Sequence, residues 1–255
     1  MTDPGWALVL PAAFAAGLVD AMAGGGGLIQ LPALLSAWPA APLTSLLGTN
    51  KLAGLTGTLS ASLRFATRIP VPWTVVAPGI LVAALSAWGG AWAVTQVAPQ
   101  LLRPLVPIIL AAVLVYTLLR PDLGTVHAPH PLDGATQRRG ALCVALIGFY
   151  DGFFGPGTGS FLMLMFVRLF GFDFLHAAAS ARILNVATNV AALAWFGARA
   201  DVMVALGLAM AACNVAGAQV GAWLAFRHGT RFVRGAFVVV VTALIARTAW
   251  QAWAR

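Results

Sequence analysis

Gly17-Leu18-Val19-Asp20-Ala21-Met22-Ala23-Gly24-Gly25-Gly26-Gly27 and Gly148-Phe149-Tyr150-Asp151-Gly152-Phe153-Phe154-Gly155-Pro156-Gly157-Thr158-Gly159 are two versions of one pattern. Each ends an apolar run with one carboxylate and follows it with a glycine-rich break. A carboxylate at a bilayer centre costs about 2.5–3.5 kcal/mol on insertion scales. A glycine cluster in an apolar run leaves backbone N–H and C=O groups without helical partners. Both costs recur at matching places, which points to a site.

The surrounding composition sets the solvent. The chain has 255 residues, of which 60% are hydrophobic and 9% charged, against about 25% charged in soluble domains. It reads as an all-α, polytopic helical membrane protein. The formal charge is +8, nearly all from Arg, with Lys51 the single Lys and no Glu. Arg64, Arg68, Arg138, Arg139, Arg227, Arg231 and Arg234 flank apolar segments, as loop charges do. A nucleic-acid-binding protein needs a clustered basic face or a known module, so no nucleic-acid partner is expected. Cys143 and Cys213 lie in apolar runs without metal spacing. His127 and His130 are too few for a zinc site. No cofactor or metal is expected, and no nucleotide-binding or hydrolase motif is present. The first apolar run lacks a positive n-region and is expected to stay as a helix.

Five apolar segments are expected in each half. The first five run from about Trp6 to Ala23, Leu28 to Trp38, Thr49 to Phe65, Trp73 to Val97 and Leu105 to Leu119. The second five run from about Ala141 to Phe154, Ser160 to Phe170, Phe174 to Phe196, Val202 to Phe226 and Gly235 to Trp253. Residues 1–119 form a first membrane repeat, 120–140 a polar linker and 141–255 a second repeat. An offset of 131 aligns the halves without a gap: Asp20 falls on Asp151, Gly24 on Gly155, Gly26 on Gly157, Lys51 on Arg182, and Gly90-Ala91-Trp92 on Gly221-Ala222-Trp223. Rare charged residues in one register indicate tandem duplication. The second segment is too short to span alone. With the first it forms a hairpin, two full crossings or one broken crossing. The first two arrangements invert the halves and place nine basic residues inside and four outside; the third makes them parallel, with eight and five. The counts favour inverted halves with glycine-broken helices, the pattern of secondary transporters.

The helices that begin after the breaks, near Leu28 and Ser160, expose unpartnered N–H groups and the positive ends of their dipoles. Two such ends face to face suit an anion. The candidate substrate-binding residues are therefore Gly24, Gly25, Gly26, Gly27, Gly155, Gly157, Thr158, Gly159 and Ser160. To these are added Gln30, Thr49, Asn50, Asn185 and Asn189 from polar stripes, and the intramembrane bases Lys51 and Arg182. Asp20 and Asp151 would balance those charges or carry a coupled proton. Which acid meets which base is open; a mid-membrane break would let Asp20 approach Lys51, one turn into its helix. The expected function is secondary transport of a small anion by alternating access, with an anion channel of fixed pore as the alternative. The partners are the anion and the lipid bilayer, and the Ala, Gly and Trp content would suit a homodimer.

At Asp20 to Ile29 with Pro32, at Gly48-Thr49-Asn50-Lys51, and at Asp151 to Phe161, the chain resembles the sulfite exporter TauE/SafE family. The resemblance covers both halves. It implies a multi-pass permease of the bacterial inner membrane with about eight spans, exporting or taking up sulfite, sulfoacetate or other small sulfur-containing or organic anions. Pro156 and Thr158 depart from an all-glycine second cluster.

Overall fold

The computed structural model describes residues 4–98, 108, 112, 128–199 and 202–253, with backbone alone beyond residue 228. Eight helices are described: α1 Gly5–Ala23, α2 Gly27–Ala37, α3 Leu43–Ala66, α4 Trp73–Gln96, α5 Gly134–Phe153, α6 Thr158–Phe170, α7 Phe174–Arg199 and α8 Val204–Trp253. There is no strand among the described residues. Among the described residues, four segments are long and apolar enough to cross a membrane: α1, α4, α7 and Val204–His228 of α8.

The burial pattern is inside-out relative to a soluble protein. Leu81, Leu85, Leu142 and Leu146 are 60–66% exposed, while Lys51, Asp151 and Arg182 are 2–3% exposed. Such a surface is stable against lipid, which solvates leucine and not ions.

The chain reverses at each glycine break. Gly26 lies against the Ala16 carbonyl, and Ala33 and Leu34 share a core with Val9 and Ala13. Further along, Tyr150 meets Phe161 with ring centroids 5.6 Å apart, and Gly140 abuts the Phe170 ring. Start meets end in both cases, so α1–α2 and α5–α6 are antiparallel hairpins and not single broken helices. The second arm of each is short, 11 residues in α2 and 13 in α6. At a rise of 1.5 Å per residue these cover about 16 and 20 Å, less than a bilayer core.

Helix α1 packs on α8, α4 on α5, and α3 on both α7 and α8. The close approaches are made at glycine. Gly17 sits against the Asn214 carbonyl and Gly148 against that of Ala83; Gly221 sits against the Leu18 carbonyl and Gly90 against that of Phe149. Within each pair of contacts, both partners differ by 131 positions. Small residues let apolar helices approach closely enough for dispersion to hold them in lipid.

Three boundaries differ from the sequence-based expectation. Helix α3 begins at Leu43, after Pro42, so Lys51 lies more than two turns inside it. Helix α5 begins at Gly134, inside the expected linker, because Asp133 caps it by accepting the Thr136 N–H at 2.7 Å. The expected ninth and tenth segments are one helix of 50 residues. That run contains no proline, and isolated glycines cost a helix only about 1 kcal/mol each. The expected segment Leu105 to Leu119 lies outside the described residues, Ile108 and Ala112 apart.

Candidate functional site

Both hairpin tips meet in the middle of the bundle. Gly24 ends α1 with φ 77° and Gly157 precedes α6 with φ 86°, left-handed conformations that glycine adopts without a Cβ clash. A Cβ on Gly159 would lie 2.6 Å from the Gly24 Cα, so backbone touches backbone there. Ser160 fastens the tips: its N–H donates to the Gly24 carbonyl at 3.1 Å and its Oγ to the Ala23 carbonyl at 2.7 Å. The second break is braced by Tyr150, whose hydroxyl donates to the Pro156 carbonyl at 2.7 Å.

A cavity of about 40 Å³ lies between the tips. At about 10–15 Å³ per water it holds a few waters, or one compact anion. The first turns of α2 and α6 line it, through Gly26 and Gly27 and through Gly157, Thr158 and Gly159. Neither helix has a side-chain cap at that end. Their dipoles and the Lys51 ammonium bring positive charge to the cavity, set against the carboxylates of Asp20 and Asp151, which also line it.

One buried ion pair joins α3 to α5. Lys51 Nζ lies 2.8 Å from Asp151 Oδ2, and Asp151 Oδ1 accepts from Thr158 Oγ1 at 2.7 Å. Asp20 is held within its own half: Oδ1 accepts the Gly26 N–H at 3.3 Å and Oδ2 the Thr58 hydroxyl at 2.9 Å. Arg182 donates through Nη2 to the backbone carbonyls of Asp20 and Ala21, and its guanidinium carbon lies 4.0 Å from the Phe65 ring centroid. Arg182 therefore joins the Gly24 N–H, which already donates to the Asp20 carbonyl, in capping the C-terminus of α1, where a cation is favoured.

Amides form the remaining wall. Gln30 donates to the Asn50 side chain at 2.9 Å and accepts from Asn214 at 2.8 Å. Asn189 donates to Asn185 Oδ1 at 2.9 Å.

Of the residues singled out in the sequence, Asp20, Gly24, Gly26, Gly27, Gln30, Asn50, Lys51, Asp151, Gly155, Gly157, Thr158, Gly159, Asn185 and Asn189 line the cavity. Gly25, Thr49, Ser160 and Arg182 are not part of its lining. Thr49 braces the start of α8 instead, accepting the Met203 N–H at 3.0 Å. Gly54, Thr58 and Asn214 also line the cavity. Asn214 is the one of these with a readable signal that the sequence reading missed, an amide within an apolar run.

The apolar exterior, the hairpins and the buried polar centre define a multi-pass membrane transporter. Residues 9–248 match the sulfite exporter TauE/SafE family, and the chain belongs to that family. It is 41% identical over 241 residues to a probable membrane transporter, ORF9, of a Sinorhizobium species, covering 94% of this chain and 91% of that protein. It is 34% identical over 252 residues to a probable membrane transporter of Haemophilus influenzae, covering 97% and 96%. It is 34% identical over 235 residues to the probable membrane transporter YfcA of Escherichia coli, covering 92% and 86%. No solved structure matches the chain.

Proposed function

We propose that the protein is a secondary transporter of a small anion in the bacterial inner membrane, carrying sulfite or a compact organosulfur or carboxylate anion. The observation that carries this reading is the cavity where Lys51 meets the first turns of α2 and α6. Cation and helix dipoles together favour negative charge, and about 40 Å³ favours a compact ion. The family's designation as sulfite exporters is in keeping with that chemistry.

Alternating access by two inverted halves is part of the proposal. It is supported by the contacts that repeat at an offset of 131 residues, Gly17 on Asn214 with Gly148 on Ala83 and Gly221 on Leu18 with Gly90 on Phe149. A helix hairpin at the start of each half is in keeping with it. One half rocking on the other would expose the cavity to each side in turn.

The test is counterflow in proteoliposomes. A carrier exchanges labelled sulfite faster when unlabelled sulfite waits on the far side. Conductance without such exchange overturns the carrier reading.

A further inference from the structure

We propose that Asp151, and not Asp20, is the carboxylate that takes up a proton when the anion binds, so that each anion crosses together with one proton. The inference rests on the anion-transport reading above and adds the coupled ion and its residue.

The two acids occupy matching places but hold different partners. Both oxygens of Asp20 accept from fixed donors, the Gly26 N–H and the Thr58 hydroxyl, and its side chain serves the shape of the first tip. Asp151 Oδ1 accepts from Thr158, but Oδ2 is buried with no hydrogen-bond partner and is held by Lys51 alone. Lys51 and Asp151 both line the cavity. An anion entering the cavity therefore competes with Asp151 Oδ2 for the Lys51 ammonium.

Displacement leaves a buried carboxylate beside a second negative charge. The charged and titratable groups facing it are few. Lys51 comes from α3, Asp20 from α1 and Tyr150 from its own helix. Helix α4 carries no charged residue, and α6 carries Arg168 at the end away from Thr158. Arg182 of α7 is engaged with the α1 carbonyls. Among the described residues no other cation is placed to replace Lys51, so protonation neutralises Asp151 at the lowest cost.

The step balances. The Lys51–Asp151 ion pair breaks as the Lys51–anion pair forms, and an O–H bond forms on Asp151 Oδ2 with a proton drawn from water on the side then open. On the other side the anion leaves, the proton is lost to water there, and the ion pair closes again.

The experiment is calorimetric titration of the purified, detergent-solubilised protein with sulfite, in alkaline buffers of differing ionisation enthalpy where sulfite is fully deprotonated. The native protein should take up about one proton per sulfite bound, since one carboxylate titrates. Asp20→Asn should keep that count, and Asp151→Asn should bring it to zero. Infrared difference spectra of the native protein should show a carboxylic-acid band on adding sulfite. Asp151→Glu, which keeps the carboxyl, should shift that band, so the assignment survives if Asp151→Asn fails to fold. Sulfite binding without proton uptake, or undiminished uptake in Asp151→Asn, overturns the proton assignment and leaves the anion site standing. Absence of sulfite binding by the native protein overturns the sulfite site and this proposal with it.

Discussion

Lys51 reaches out of α3 to Asp151 near the end of α5, with 2.8 Å between Nζ and Oδ2 and both side chains almost fully buried. The acid of α1, Asp20, turns to Thr58 instead. The main ionic link of the cavity is thus also a link between α3 and α5, so whatever loosens it can alter both binding and shape.

Removing one member of a buried pair strands the other. Lys51→Met should destabilise the protein by about 3–5 kcal/mol, whereas Lys51→Met with Asp151→Leu should recover most of that loss. Thermal unfolding in detergent checks the first point. Sulfite flux should be lost in both variants, and normal flux in either would remove Lys51 from the site.

Arg182 contributes by its contacts as well as its charge. It bonds two carbonyls and holds its guanidinium 4.0 Å from the Phe65 ring centroid. Arg182→Lys keeps the charge but loses the guanidinium's contact with the ring, and should cost about 1–2 kcal/mol. The melting temperature should fall while sulfite affinity per folded molecule stays within a few-fold of native. An unchanged melting temperature would contradict the capping role.

Gly54 separates space from fold. It lines the cavity, and a Cβ there would meet nothing within 4 Å. Gly54→Ala should melt at or slightly above the native temperature, because alanine favours helix by about 1 kcal/mol. It should also narrow the range of anions that protect against unfolding, the bulkiest being lost first. By contrast, Gly159→Ala should fail to assemble, since its Cβ would strike the Gly24 backbone.

Asp133 offers a pH readout outside the membrane. The Thr136 backbone N–H it accepts holds its carboxyl below the usual carboxylate range. Its contribution to the start of α5 is therefore full above the ordinary carboxylate pKa and is lost as pH falls through the lowered value. Hydrogen exchange at Ala135 and Thr136 should quicken on such acidification, and should already be fast and pH-independent of this group in Asp133→Ala.

Local chemistry made much of this readable in advance. Glycine clusters after Asp20 and Asp151 marked the hairpin tips because few other residues tolerate that backbone. Alternation of apolar runs with Pro39, Pro42, Pro70 and Pro72 marked where helices stop. The partners of the charges were not readable: Lys51 and Arg182 align at one register, yet one meets a carboxylate and the other a helix end. That difference arises from which half's tip each side chain reaches, a property of assembly that no local pattern carries. The C-terminal helix was misread because polar residues suggested a break where no proline enforces one.

The caps that Ser160 and Arg182 place on α1 also set an order of events during synthesis. Helix α1 leaves the ribosome early, and the Gly24 N–H can close on its Asp20 carbonyl at once, whereas the donors for the Ala21 and Ala23 carbonyls belong to residues translated long afterwards. Until then those two carbonyls lack these partners, which lipid tolerates poorly. A chain truncated before Ser160 should therefore be degraded faster in cells than the full chain.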